Sequence, residues 1–394
     1  MRHLPIIVII MPKDINSEEY DAGTKLKLDI LSKYLVEWFH VMINLDFLRT
    51  IYLYDFFSGS GTDSAGHPGS PIIILTHLID NCLNLKEKNK TVKLVLNDNA
   101  AEKIEKLKAK YSEIFENCHK RKECSCYSNN NCSVISVRFE CKDFKTLFSE
   151  EYKKLIVINN PYCFMFIDQY GIREVDTSTF VILASLKHTD IIFFTSTAHA
   201  VRFSKTDSFK QHLQIDENFE WTEKSHRKLC EHYNSLIPKD SSFHVAPFSI
   251  KKEDSGMICG VIFGSSQLYG IEKFLIVAWK KDNLAGEANY DIDDDNIMHN
   301  APVLFQEHYK PKKLDRFEKN LKDYLQLERT NKDIYKFTLL EGFLPTHTNK
   351  ILEEMDKNKQ LKIHFIRGEA RKKAYYINHK DDERVRILYE QHKN

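Results

Sequence analysis

The sequence predicts an α/β fold: a parallel sheet covered by helices on both faces, followed by a small C-terminal module. Three observations predict it. Short apolar β-rich runs alternate with amphipathic helical runs from Lys25 to Phe194. Several of the apolar runs give way to an acid or a glycine turn, as strands do where they border a ligand crevice. The tail then changes pattern to helix, strand, basic turn and strand.

Lys25 to Ile43 reads as a helix, because Leu28, Leu31, Leu35, Trp38 and Phe39 recur at helical spacing with Lys27, Lys33 and Glu37 between them. Ile51 to Phe57 is the first strand, and it meets the abrupt turn Ser58-Gly59-Ser60-Gly61. Pro71 to Cys82 is a helix with proline in its first turn. Val92 to Leu96 is a second strand, ending at Asn97-Asp98, and Ala100 to Phe115 is a charged amphipathic helix. Val134 to Phe139 and Phe164 to Ile167 are the third and fourth strands; a helix over Thr179 to Leu186 leads to a fifth, Ile191 to Phe194. Such alternation argues for parallel strands buried on both faces. A stretch of Lys, Ser, Asn and Cys interrupts it as an insert at about 117–133. After Arg202 the pattern is irregular, with Val261 to Phe263 a strand, Phe274 to Trp279 a helix, Asp291 to Asp295 an acidic loop and Leu314 to Leu327 a helix. The expected organisation is an extension over 1–19, the α/β domain over 20–300, a helical linker over 301–330 and a last module over 331–394.

The chain has 394 residues, enough for two or three domains, and a net charge of +1. That charge excludes a whole-protein field for nucleic acid, so any such surface must be a local patch. Nine cysteines, an odd number and mostly scattered, argue against a secreted disulfide framework and for a reducing, cytoplasmic setting. The apolar run Leu4 to Met11 is too short to span a membrane and no small-residue cleavage site follows it. It reads as a first strand, or as an extension ahead of a start at Met11. No later segment is a membrane span, and no membrane partner is expected.

Four acids stand at or just beyond the ends of four successive strands: Asp55, Asp98, Asp143 and Asp168. Any one of them is more often a helix cap or turn residue. Together, beside the glycine turn of Asp55-Phe56-Phe57-Ser58-Gly59-Ser60-Gly61, they would line one edge of one sheet, where doubly wound folds bind nucleotides. Arg202 and His199 follow the fifth strand and would lie near the same edge, Arg202 able to contact a phosphate or Asp168. Asn159-Asn160-Pro161-Tyr162 precedes a strand and reads as a turn.

Cys118, Cys124, Cys126 and Cys132, with His119 alongside, could hold a structural zinc. Their spacing is not that of a standard finger, and a plain cysteine-bearing loop is equally compatible. In the tail, Pro345-Thr346-His347-Thr348 opens a helix, Leu361 to Ile366 is a strand, Arg367 to Lys373 a basic turn and Ala374 to Ile377 the return strand. That order is a winged helix. Lys357, Lys362, Arg367, Arg371, Lys372 and Lys373 would face the phosphate backbone of a nucleic acid. A solvated wing or a protein-docking module is the alternative.

Several segments resemble the three-Cys-motif partner (TcmP) family, methyltransferase-like proteins of bacteria and their mobile elements. They are Lys25 to Leu28 and Tyr34 to Trp38, Asp55 to Gly61, Gly69-Ser70-Pro71, Phe166 to Gly171, Thr189 to Phe194 through Arg202-Phe203, Phe263-Gly264-Ser265, Ala278-Trp279-Lys280, Gly286 to Tyr290 and Gly342 to His347. The resemblance implies a Rossmann-like fold that binds S-adenosylmethionine (SAM). It would set Asp55, Phe57, Ser58, Gly59 and Gly61 at the methionine end, Asp98 at the ribose and Asp143 near the adenine. Asp168-Gln169-Tyr170 falls where amino-methyltransferases carry an Asp/Asn-Pro-Pro-Tyr/Phe loop that receives the target amine, with Gln169 in place of proline. The resemblance also implies a protein partner encoded nearby.

Three readings follow: a SAM-dependent methyltransferase of nucleic acid, with Asp168, Gln169, Tyr170 and Arg202 around the target; a non-catalytic nucleic-acid- or partner-binding protein of a mobile-element or anti-phage system; and a metal-dependent nuclease-like activity.

Overall fold

The structure is a computed structural model and describes residues 18–119, 127–128, 131–159, 161–197, 225–253, 256–296, 310–367, 373–380 and 383–390. In chain order the strands are β1 (Thr50–Asp55), β2 (Thr91–Asn97), the two-residue pair β3 (Tyr127–Ser128) and β4 (Asn131–Cys132), β5 (Ile135–Glu140), β6 (Cys163–Ile167), β7 (Thr189–Thr195), β8 (His244–Lys251), β9 (Ile258–Ser265), β10 (Arg329–Thr330), β11 (Leu361–Phe365) and β12 (Val385–Tyr389). The helices are α1 (Ala22–Asn44), α2 (Ser70–Asp80), α3 (Cys82–Glu87), α4 (Ala101–His119), α5 (Phe144–Val157), α6 (Thr177–Ser185), α7 (Ser225–Ser235), α8 (Leu268–Lys281), α9 (Lys312–Tyr324), α10 (Asn331–Leu340) and α11 (Pro345–Lys357).

Seven strands form the main sheet in the order β5-β2-β1-β6-β7-β9-β8. The first five are parallel, and β9 runs antiparallel between β7 and β8. Chain order therefore reverses between β1 and β6, the switch point of a doubly wound sheet. Alternating residues sort the strands into two faces. Ile51, Leu53, Leu94, Phe164, Phe166 and Val261 pack under α1, α2 and α8. Tyr54, Phe56, Met165, Ile167, Phe193 and Ile262 pack under α5, α6 and α7. Helix α1 carries most of the first face: Leu31, Leu35, Trp38 and Phe39 are almost wholly buried, and Asp21 caps it by accepting from the Thr24 N–H at 2.6 Å.

Several elements were not predicted, among them α3, α5, α7, α10, β8 and β12. Helix α5 starts at Asp143, whose carboxylate accepts from the Thr146 N–H at 3.0 Å. Strand β8 carries Pro247 in its middle, which is tolerable because β8 is the edge of the sheet.

The C-terminal module has the order α9-β10-α10-α11-β11-β12, with its small sheet arranged β10-β12-β11. The helix expected as a linker belongs to this module: Phe317 of α9 stacks on Phe343 with ring centroids 4.0 Å apart, and Tyr324 on Phe337 at 4.2 Å. The return strand is β12, not Ala374 to Ile377. The Ile377 backbone is already taken, because its N–H donates to Asn349 Oδ1 at 2.8 Å and its carbonyl accepts from Asn349 Nδ2 at 3.1 Å.

Sheet and module share a continuous apolar core. The Trp279 indole of α8 donates to the Gly342 carbonyl at 3.0 Å and lies against His347. Beside it, Glu287 accepts from Arg227 at 2.5 and 2.8 Å and faces Lys313 at 3.1 Å, while Arg227 also reaches Asp293 at 3.0 Å. Burial alone would raise Glu287; Lys313 and Arg227 instead hold its carboxyl down to about 2.

Candidate functional site

Asp55 ends β1 at the switch point, in register with Leu96 of β2 and Phe166 of β6. Its side chain is fully buried. One oxygen accepts from the Phe57 N–H at 3.2 Å, while Oδ2 has no hydrogen-bond partner. Burial pushes its carboxyl up to about 7, with Asp168 and Asp98 adding to the rise. Buried polar atoms are seldom left unpaired, and here the nearby Ser70 side chain and the Phe57 N–H oppose part of the rise.

The turn after β1 takes two left-handed residues, Gly59 at φ +60 and Gly61 at φ +92. Ser58 donates through its N–H and hydroxyl to the Asn97 carbonyl, at 2.7 and 2.9 Å. Phe57 stacks on Phe144 of α5 at 5.5 Å. Beyond the glycines, Asp63 gathers the N–H groups of Tyr20 at 2.9 Å, Ala65 at 3.0 Å and His67 at 2.8 Å, which fixes the loop against the chain ahead of α1.

Asp98 follows β2 and is nearly buried. Its Oδ2 accepts from the Gly59 N–H at 3.1 Å and its Oδ1 from the Ala100 N–H at 2.9 Å, so it ties the glycine turn to the start of α4. Asp143 is exposed, and its bond to Thr146 lowers its carboxyl below the usual range. The four acids thus follow β1, β2, β5 and β6, all parallel, and so share one edge of the sheet; their environments run from fully buried to open.

Asp168 follows β6 and is not open to a partner in the way the sequence suggests. The Lys27 ammonium, from α1, donates to its Oδ2. Lys27 is 6% exposed and lies over the Phe194 ring, 4.6 Å from its centroid. Sequence reasoning missed Lys27 as a site residue. The available signal was a lysine on the buried stripe of an amphipathic helix, one turn before Leu31. Lys252, at the end of β8, pairs with Asp21 at 2.7 Å near the same edge.

Gln169 does not face outward from the sheet edge. It is 1% exposed; its Nε2 donates to the Phe194 carbonyl at 3.0 Å, and its Oε1 accepts from the N–H groups of Glu174 at 2.7 Å and Val175 at 3.0 Å. It staples the loop after β6 and is buried by those bonds. Tyr170 is 54% exposed at the surface of that loop. Arg202 and His199 lie outside the described residues.

Of the candidate zinc ligands, Cys124 and Cys126 lie outside the described residues, and Cys118 falls in the last turn of α4. Cys132 sits on β4, accepts from the Ile135 N–H at 3.4 Å and shares a hydrogen bond with Cys82, a thiol the sequence did not connect to the insert. Among the described residues no group of His, Cys, Asp or Glu is arranged for a metal.

On the module, Lys357, Lys362, Arg367 and Lys373 are exposed, and Arg371 and Lys372 lie outside the described residues. The fold brings acids to this surface that sequence distance concealed. Glu353 lies 3.6 Å from Lys357 and 3.3 Å from Lys373, and Glu390 lies 3.7 Å from Lys362. Helix α11 precedes this strand pair in the order of a recognition helix ahead of a wing.

The geometry defines a class: a mixed α/β domain with a parallel-rich sheet whose chain order reverses between β1 and β6, joined to a winged helix-turn-helix module. Residues 290–365 match the model of the GMT-like wHTH domain. Among solved structures, the crystal structure of DszA carbon methyltransferase is similar at 11% identity and a TM-score of 0.31, covering 63% of this chain and 56% of that one. The chain thus spans little more than half the length of that protein, a likeness too slight to carry an argument. No curated protein matches. No described helix is long and apolar enough to cross a membrane.

Proposed function

We propose that this protein is a SAM-dependent methyltransferase acting on nucleic acid. The observation that carries the reading is the Asp55 carboxylate, buried at the switch point with Oδ2 unpaired, beside a turn with two left-handed glycines. That fits the ammonium end of SAM, which brings three donors and a positive charge. The antiparallel β9 between β7 and the edge strand β8 also sets this sheet apart from the classic dinucleotide-binding order. When bound, SAM supplies an activated methyl group. The chain's own residues hold and align: Asp55 takes the cationic end, Asp98 keeps the turn in place at the ribose position, and Asp143 stands at the adenine end. Alignment of the nucleophile is the main requirement. The winged helix-turn-helix module supports a polymer substrate gripped through its phosphates. Membership of the three-Cys-motif partner family is part of this proposal and rests on the ordered segments from Lys25 to His347.

A second reading has an observation of its own. Gln169 is a loop staple and Asp168 is already paired with Lys27, which suits a non-catalytic nucleic-acid- or partner-binding protein of a mobile-element or anti-phage system. Metal-dependent cleavage is weaker, since Asp98 and Asp168 both already serve protein donors. Isothermal calorimetry separates them. SAM and its demethylated product bind the wild-type protein, and Asp55→Asn weakens SAM at least ten-fold. No binding of either ligand at millimolar concentration sinks the enzyme reading.

A further inference from the structure

A cavity of about 160 Å³ lies at the other edge of the sheet, where β6 and β7 begin, between α1 and the first turn of α8. The four acids follow the carboxyl ends of their strands, and none of them lines it. Its walls are aromatic: Tyr34 and Trp38 from α1, Tyr162 ahead of β6, His188 ahead of β7 and Tyr269 from α8. His188 lies flat on Tyr162, with ring centroids 4.5 Å apart. The charges in the wall are already matched. Lys273 pairs with Glu37 at 2.7 Å, and the buried Asp190 carboxylate accepts from the Tyr34 hydroxyl at 2.7 Å and from the Ser265 hydroxyl. Two neutral groups of the lining are not matched. Among the described residues, neither the His188 imidazole nor the carboxamide of Gln267, the exposed residue ahead of α8, makes a hydrogen bond.

We propose that this cavity binds a neutral six-membered ring with a hydrogen-bond donor and acceptor side by side, the class of uracil and the other pyrimidine bases. Size sets the ring count. An apolar cavity of about 150 Å³ admits one benzene ring, so this one takes a single ring and leaves out a fused pair. The aromatic walls stack on its faces. Neutrality follows from the matched charges, because an ionic ligand would lose its hydration without gaining a counter-charge. The edge follows from the unmatched groups. A carboxamide offers a donor and an acceptor together, the pattern that reads a base edge, and an imidazole adds one more of either kind. The ring can belong to a free nucleoside or to a base splayed out of a strand. Tyr269 also stacks on His379 of the C-terminal module at 4.1 Å, so the cavity borders the part of the chain that would hold a strand. The site does not depend on the SAM reading.

Isothermal calorimetry on the full chain, with uracil, phenol and adenine as probes, tests this. Uracil binds at millimolar concentration or below. Phenol has the ring without the paired donor and acceptor, and adenine exceeds the space; each binds at least about five-fold more weakly. Gln267→Ala, at an exposed position, weakens uracil about five-fold through the lost carboxamide contact. Val41→Trp fills the cavity from α1 and abolishes uracil binding. Failure of uracil to bind at millimolar concentration, equal affinity for phenol or adenine, or full uracil affinity in either variant overturns the proposal. If Val41→Trp does not fold by circular dichroism, Gln267→Ala and the three probes carry the test. A short oligouridylate then separates the two sources. If its affinity falls in Gln267→Ala together with that of uracil, a strand supplies the ring. If only uracil is weakened, the ligand is a free nucleoside.

Discussion

Asp55 is where sequence, burial and chemistry meet in one residue. Its carboxyl rises from 3.8 to about 7 because it is buried. Between those values the folded protein holds a proton that the unfolded chain has released. Stability contributed by this group is therefore complete below about pH 4, falls as pH rises, and is gone above about pH 7. The full swing is on the order of 4 kcal/mol. Urea titrations from pH 4 to pH 8 should show a downward slope in wild type that is reduced in Asp55→Asn, with the variant the more stable of the two at pH 8. Equal slopes would mean that the carboxyl is hydrated rather than buried. The same orphaned acceptor makes the residue ready for a cationic ligand, so its instability when ionised and its proposed role have one cause.

At the scale of elements, the loop after β6 is set by Gln169 rather than by proline. Three hydrogen bonds from one buried amide join that loop to β7 and to the turn before α6. Gln169→Ala removes all three and leaves buried backbone groups unpaired, which should cost about 2–4 kcal/mol. Gln169→Pro, which restores the amino-methyltransferase pattern, should be at least as destabilising. A midpoint shift in urea denaturation measures both, and a change below about 0.5 kcal/mol for Gln169→Ala would refute the staple. The amino-methyltransferase pattern suggested a target-facing residue here; only the fold shows the side chain pointing inward. Asp143 teaches the related lesson. Its position after β5 is legible in the sequence, yet its local work is to cap α5, a helix the same sequence did not announce.

Across the whole molecule, the joint between sheet and module depends on charges far apart in the chain. Arg227 of α7, Glu287 and Asp293 of the acidic loop and Lys313 of α9 form one nearly buried network. Glu287 is held down to about 2 by Lys313 and Arg227. Its contribution is present above the ordinary value of 4.5 and is lost as pH falls toward 2. Glu287→Gln removes the carboxylate that Arg227 and Lys313 share, leaving Arg227 only Asp293 and Lys313 only the Ala285 carbonyl, and should cost about 3–5 kcal/mol. Thermal melts of wild type and variant at pH 7 measure this, and limited proteolysis should show cleavage between the sheet domain and the module first. Unchanged protease resistance would show that the apolar contact of Trp279 with Phe343 and His347 suffices for docking.

The sequence by itself determined the alternation of strands and helices, the acids that follow the strands and the glycine turn, because these depend on local periodicity and on residues with special backbone freedom. It also placed a helix–strand–basic-turn order in the tail. Tertiary structure alone decided which strand closes the wing, since Asn349 takes the backbone of Ile377 and leaves β12 to pair with β11. It decided that the linker helix belongs to the module, that Glu353 and Glu390 temper the basic patch, and that Lys27 reaches Asp168 across 141 positions of sequence. Those outcomes depend on groups distant in the chain competing for the same hydrogen bond or the same charge. Spacing along a chain carries no record of that competition.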